Sequence, residues 1–378
     1  MTKPIYLDYQ ATTPLAPEVA DAMRPWLEEN FGNPHSTHRM GREAAAAVDV
    51  ARGHVLAAIG GAAGSGKIYF TSGATEAANW ALKGAAARFP SGRNRIVTIA
   101  TEHACVLDSL AWLREQGMEI EILPVGADGI VDLDLLERQV TDRTGLVAAM
   151  LVNNEIGVIQ PIAEIGRLAR SRGALFFCDA VQGLGRVALP LEECDMVAMS
   201  AHKIYGPKGI GALWLRSGVA IEPLLHGGGQ EGGIRSGTLS PLLCVGFGAA
   251  ARLMAERKEE DAAHIEPLWN AAESLVTSGW VLNGSSEHRY RGNLNMRRSG
   301  LDVARLISDL RMVALSAGSA CASGSGRPSH VLSALGLSEK DARSSVRIGF
   351  GRYTTVEEMN LALTMIEEAA ERQRRFAA

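Results

Sequence analysis

The residues of this 378-residue chain that can do chemistry collect where apolar runs stop. KIYFTS (67–72) is followed by Gly73-Ala74-Thr75-Glu76, and RIVTIA (95–100) by Thr101-Glu102-His103. LVAAMLV (146–152) leads to Asn153-Asn154-Glu155. ALFFC leads to Asp179, with Gln182 three residues on, and MVAMS runs through Ser200 and Ala201 to His202 and Lys203, then IYGPKGIG. In open α/β sheets, ligands bind outside the carboxyl ends of the strands. A helix opening at Ala74 offers N–H groups to a phosphate, with Thr75 beside them. His103 can stack on a ring. Asp179, ending an apolar strand, needs a cationic partner. Lys203, between small residues and a glycine-rich turn, can form a Schiff base with a carbonyl. Pyridoxal phosphate answers all four: phosphate, ring, pyridinium nitrogen and aldehyde. Taken singly, such an Asp is more often a cap and such a Lys an exposed turn residue. The reading rests on five strand ends supplying complementary groups.

A second feature is SAGSACASGSG (316–326), a run of Ser, Ala and Gly around one thiol, Cys321. The other cysteines are Cys105, Cys178, Cys194 and Cys244, with no CxxC spacing, which argues against a disulfide framework or a structural zinc site. Cys178 lies in an apolar strand and Cys244 in an apolar helical run, so both read as inert core, as does Cys194. Cys105, two residues from His103, is the one rival nucleophile. HSTH (35–38) lacks further ligand spacing, so no metal is expected. GAAGSGK (61–67) mimics a phosphate loop, but Ile68 stands where Ser or Thr is needed and the lysine enters a strand.

The elements that position these groups alternate. Strands are expected at 67–72, 95–100, 119–125, 146–152, 174–179, 196–200 and 212–216, with helices at 74–89, after His103, at 132–140 and at 163–172. Several strands are apolar throughout, as in a mostly parallel sheet covered on both faces. Beyond HGGGQEGGIRSGT (226–238) a helical region over about 241–277 precedes short strands near 293–296 and 313–316 and further helices. The expected organisation is an α/β large domain (15–255) and a smaller α+β domain made of 1–14 and 256–378. The chain is 47% hydrophobic with net charge −4, which gives no reason to expect a nucleic-acid partner. No apolar run is long enough to span a bilayer and the start has no signal-peptide core, so a soluble, cytoplasmic protein is expected.

Motifs along most of the chain carry a resemblance: YLDYQATTP, FGNPHSTHRMG, FTSGATEAAN, TEHACVL, NNEIGV, CDAVQ, SAHKIYGPKGIGAL, HGGGQEGGIRSGT, GSACASGS, PSHVLSALGL and SSVRIGFGRYTT. The chain resembles the pyridoxal-phosphate-dependent cysteine desulfurases, the NifS/IscS-like branch of the class V aminotransferase family with fold type I. The resemblance implies that Lys203 holds the cofactor covalently and later moves protons. It implies that Asp179 pairs with the pyridinium nitrogen, and that His103 stacks on the ring and shuttles a proton. Gln182 and Asn154 would lie near the ring oxygen and the substrate. Thr75, Ser200 and His202 would bind the phosphate, and Thr238 would reach the phosphate of the other subunit of a homodimer. Arg347 would hold the carboxylate of the substrate, L-cysteine. Cys321 would attack the substrate sulfur, become a persulfide and release L-alanine, on a loop whose small residues let it reach in and swing out. The sulfur would pass to an acceptor protein such as an iron–sulfur cluster scaffold, or toward other thio-cofactors. The alternative is a selenocysteine lyase or another class V enzyme. The chain departs from the family's usual motifs with Gly232 in GGGQEG, Ala201 in SAHK, Ala317 in SAGSAC and GRPSHVL at 326–332. None of these removes a group with a named chemical role.

Overall fold

Apolar segments too short for helices become strands here, and the β5 segment TGLVAAM is buried at all seven positions. The computed structural model describes residues 3–317 and 329–377. After strand β1 (Ile5–Tyr6) and helices α1 (Pro17–Glu28) and α2 (Arg39–Ala58) come seven strands. They are β2 (Gly66–Thr71), β3 (Arg95–Ile99), β4 (Glu119–Leu123), β5 (Thr144–Met150), β6 (Leu175–Asp179), β7 (Met196–Ser200) and β8 (Gly211–Arg216). Helices α3 (Ala74–Ala86), α4 (Ala104–Glu115), α5 (Leu133–Gln139) and α6 (Ile162–Ser171) follow β2, β3, β4 and β5. The seven strands form one sheet in the order β2-β8-β7-β6-β5-β3-β4. Only β8 runs against its neighbours, so β2, β3, β5, β6 and β7 present their carboxyl ends at one edge. Separate apolar cores cover the two faces.

Helices α1 and α2 were not among the expected elements. The buried face of α2 is Gly41, Ala44, Val48, Ala51 and Val55, helical in spacing but small in side chain. It packs closely on helix α7 (Pro241–Glu256), where a Cβ at Gly248 would lie 2.6 Å from the Ala51 Cα. The expectation of one helical region over 241–277 is corrected: α7 ends at Glu256 and α8 (Lys258–Glu273) begins after Arg257. No described helix is long and apolar enough to cross a membrane.

The rest of the chain builds a second core. Strands β9 (Val281–Leu282), β10 (Asn293–Arg297) and β12 (Ser345–Gly349) form an antiparallel sheet in the order β12-β10-β9, and β11 (Val313–Ala314) pairs with β1 in parallel. Helices α9 (Val303–Asp309), α10 (His330–Ala334), α11 (Glu339–Arg343) and α12 (Val356–Ala377) complete the unit. Leu7 is buried in this core with Leu268, Leu294, Ile348 and Ile366. The Leu7 N–H donates to the Ala314 carbonyl, and the Gly349 N–H to the Leu7 carbonyl.

The glycine-rich segment after β8 is tied down by ion pairs. Glu231, at φ 53°, accepts two 2.9 Å hydrogen bonds from Arg52 of α2, whose guanidinium also lies 5.1 Å from the Phe70 ring centroid. Arg235 makes a similar two-pronged pair with Glu76 of α3. Removing one partner of a buried pair leaves an uncompensated charge. Arg52→Ala is therefore expected to lower the unfolding free energy by about 3–5 kcal/mol, read as a fall in the urea midpoint at unchanged slope. A midpoint within error of the parent would show that Glu231 is not held by this pair.

Candidate active site

A cavity of about 350 Å³ opens at the sheet edge where the five carboxyl ends meet. That volume suits a small-molecule site. Eight of the expected residues line it: Thr75, His103, Asn154, Asp179, Gln182, Ser200, His202 and Lys203. They come from five segments far apart in sequence, and the strand register alone brings them together.

At one end is the start of α3. Its N-cap is Gly73, which has no side chain to accept from the first-turn N–H groups. Nothing lies within 4 Å of where a Gly73 Cβ would be, so the turn faces open space. From behind, Gly211 of β8 supports this turn so closely that a Cβ there would lie 2.6 Å from the Gly73 carbonyl carbon. An uncapped helix start with Thr75, Ser200 and His202 around it is a donor set for a phosphate. Burial, with Lys203, Lys208 and Arg186 nearby, pushes His202 down to about 4. The ring is thus neutral at pH 7. Its Nδ1 lies 3.1 Å from the Thr12 hydroxyl, which leaves Nε2 for an anion.

At the other end is Asp179, 6% exposed. Its Oδ1 accepts from the Val181 N–H at 2.9 Å, and no Lys or Arg pairs with it among the described residues. Burial raises its carboxyl, while His103, the Val181 N–H and Lys203 pull it back. A buried carboxylate held only by a backbone N–H fits a ring N–H cation coming from the cavity. His103 caps α4, its Nδ1 accepting from the Cys105 N–H at 3.1 Å. This fixes the ring at the cavity wall.

Lys203 ends the short turn after β7. Its ammonium donates to the carbonyls of Gln10 and of Ala11, the latter at 2.8 Å. Gln182 Nε2 donates to the same Gln10 carbonyl at 2.8 Å. Two residues on, Tyr205 takes a left-handed φ of 66°, its N–H held by Thr13 Oγ1. Such a backbone persists only where neighbours enforce it, and here it turns the chain into Gly206 and Pro207. Burial, with Arg186 and Arg347, lowers Lys203 to about 7, against the pull of Asp8 and Asp179. An amine at that value is half neutral at pH 7 and ready to attack a carbonyl. Cofactor-free protein is expected to take up pyridoxal phosphate at a rate that rises through pH about 7 and then levels, followed by the visible band. A rate still climbing toward the ordinary lysine value of 10.5 would contradict this.

Taken together, the donor set fits pyridoxal phosphate: an anion cradle, a ring wall, a carboxylate for the ring nitrogen and a deprotonatable amine. The remaining expected residues lie elsewhere. Arg347, in β12, does not line the cavity. Its guanidinium donates to the Asn154 carbonyl at 3.0 Å and to Asp8 Oδ1 at 2.7 Å, and its Nε has no partner. Thr238 is exposed and outside the cavity. Cys321 lies outside the described residues. Cys178, Cys194 and Cys244 are buried. Cys105 lines the cavity, but burial, with Asp179, Glu102 and Asp108, pushes its thiol far up.

Three residues with roles here were not singled out from sequence. Asp8, inside the quoted YLDYQATTP, neutralises Arg347. Glu102 is a buried carboxyl raised by burial and by Asp179, with Oε1 accepting from the Met150 N–H at the end of β5. Arg186 donates to Gln182 and to the Lys203 carbonyl, bridging two cavity residues from behind. Asp8 carried a signal as an acidic residue in an arm expected to pack on the small unit, and Glu102 as one of the residues just past the end of RIVTIA; Arg186 carried none.

The aminotransferase class-V family model matches residues 5–361. Over 372 residues the chain is 46% identical to cysteine desulfurase IscS of Rickettsia bellii, covering 96% of this chain and 90% of that protein. A solved NifS-like protein superposes with a TM-score of 0.89 at 34% identity, over 97% of this chain and 98% of that one. SspA in complex with cysteine superposes with a TM-score of 0.82 at 33% identity, over 93% of this chain and all of that one.

Proposed function

The chain belongs to the aminotransferase class-V family, and from that membership we propose that it is a pyridoxal-phosphate-dependent cysteine desulfurase. It takes sulfur from L-cysteine and leaves L-alanine. The observation that carries the reading is Lys203, an amine lowered to about 7, in one cavity with the isolated carboxylate Asp179 and the uncapped start of α3.

When bound, pyridoxal phosphate supplies an aldehyde that links to amines and a ring that withdraws electrons from their carbon. The protein's residues do the rest. Thr75, Ser200, His202 and the α3 N–H groups would hold the phosphate. Asp179 would keep the ring nitrogen protonated, His103 would lie against the ring, and Gln182 and Asn154 would orient the ring oxygen and the substrate. Lys203 would hold the cofactor, and its amine would carry protons to and from the substrate carbons. Arg347 takes the substrate carboxylate in its planar fork, so Asp8 must give up its place on that guanidinium. The Cys321 thiolate attacks the substrate sulfur. The S–S bond forms as the C–S bond breaks; the carbon keeps the electron pair, takes a proton and leaves as alanine. Cys321 is left as a persulfide, which a sulfur-acceptor protein such as an iron–sulfur scaffold consumes. Thr238 reaching the partner's phosphate implies a homodimer.

The test is the purified, cofactor-loaded protein with L-cysteine and a thiol reductant. Equimolar alanine and sulfide support the reading. Release of alanine from selenocysteine but not from cysteine would make it a selenocysteine lyase.

A further inference from the structure

The turn after β6 folds back on itself. It reads Val181-Gln182-Gly183-Leu184-Gly185-Arg186, and Gly185 takes a left-handed φ of 73°, which glycine adopts without strain. The Arg186 N–H then donates to the Gly183 carbonyl at 2.9 Å, which brings the Arg186 side chain beneath Gln182 and the Lys203 turn. Its guanidinium donates to Gln182 Oε1, to the Gln182 carbonyl at 3.2 Å and to the Lys203 carbonyl at 3.1 Å. It also lies 5.2 Å from the Tyr290 ring centroid. No carboxylate pairs with Arg186 among the described residues. It lines a second cavity, of about 250 Å³, which shares one lining residue, Lys203, with the first.

A guanidinium carries donors only, so the Gln182 atom that faces it is the amide oxygen. The amide nitrogen then points the other way. One of its hydrogens goes to the Gln10 carbonyl at 2.8 Å, and the other is left for the cavity that Gln182 lines. We propose that Arg186 is a positioning residue, which makes Gln182 present an N–H rather than a carbonyl to the cofactor and sets an unpaired positive charge behind the Lys203 amine. A cation there favours the neutral amine. Burial lowers Lys203 to about 7, and Arg186 is the strongest of the charges that add to it. The other charges around Lys203 are Arg347, Asp8 and Asp179, and Asp8 pairs with Arg347 at 2.7 Å. His202 is neutral at pH 7, and Lys208 and Lys258 are exposed. In the second cavity Asp261 pairs with Arg352 and Glu266 with Arg291, while Arg289 lies against Trp269 and within the pull of Glu273.

This inference deepens the reading that Lys203 takes the cofactor aldehyde, and its first test needs no cofactor. Cofactor-free protein is labelled with trace acetic anhydride across a pH series, and the rate at Lys203 is read by peptide mass. In Arg186→Gln the midpoint should rise by at least about half a pH unit, which halves the rate at pH 7 and leaves it unchanged near pH 10. Arg186→Lys keeps the charge and should keep the parent's midpoint. A parental midpoint in Arg186→Gln, or the same rise in both variants, would overturn the electrostatic role. If the midpoint moves as expected but the parent takes up no pyridoxal phosphate, the cofactor reading fails and the role of the charge stands. The second test is cofactor affinity at about pH 9, where the amine is neutral in every variant. Arg186→Met should bind pyridoxal phosphate at least about threefold more weakly, and this loss should vanish in a Gln182→Leu background. A loss of the same size in that background would show that Arg186 does not act through Gln182. If Arg186→Met does not fold, the cycle is run with Arg186→Gln, whose shorter side chain cannot span Gln182 and Lys203 together.

Discussion

Cys321→Ala is expected to keep its fold and its yellow cofactor band while losing at least about 10³-fold in alanine and sulfide release from L-cysteine. The thiol is the one group in the proposed sequence that accepts sulfur, so every other step can be intact and turnover still stops. The matching control is Cys105→Ala. Cys105 lines the cavity, but its thiol is held high by burial and by the acidic groups around it, so little thiolate exists at pH 7. Its loss should leave the rate within about twofold. A Cys321→Ala protein that turns over as fast as the parent would sink the persulfide reading and point to a lyase or transaminase on the same scaffold.

The other large effect is at Lys203. Lys203→Ala removes both the amine that holds the cofactor and the base that moves protons. The rate should fall by at least about 10³-fold, since general acid–base contributions alone reach 10²–10⁴. Lys203→Arg should not restore it. A guanidinium stays protonated at any working pH and cannot attack a carbonyl. A simple need for positive charge beside Gln10 and Ala11 would be met by arginine, so recovery in Lys203→Arg would contradict the proposed role. Small primary amines added to Lys203→Ala should recover part of the proton-transfer rate, in proportion to their free-base concentration.

Much of this was legible because the chemistry lies at strand ends and the strands are buried on both faces. Runs such as RIVTI and LFFCD announce themselves by composition, and the residue after each is set at the sheet edge by register. That is why eight of the expected residues share one cavity. What was not legible depends on contacts between distant segments. Helix α2 packs through Gly41, Ala44 and Ala51, whose small size hides the apolar stripe that identifies a helix from sequence. Asp8 meets Arg347 across 339 positions, and no local pattern marks that pairing. No local pattern marks Arg186 either. Only the fold shows it beneath Tyr290 and bonded to the Lys203 carbonyl.

The short arm at the start of the chain has a consequence for how the protein is made. Residues 5–13 bond to positions 202, 205, 312, 314 and 349, and the arm's carbonyls hold the Lys203 ammonium. This segment thus waits for residues far along the chain before it finds all its partners. These are contacts of very long sequence separation, which form late because the loop entropy must be spent first. The large sheet can form while the chain is still growing. The reactive lysine, however, acquires its final surroundings only when this segment has docked on the small unit, and the rise of the cofactor band during refolding becomes a clock for that step.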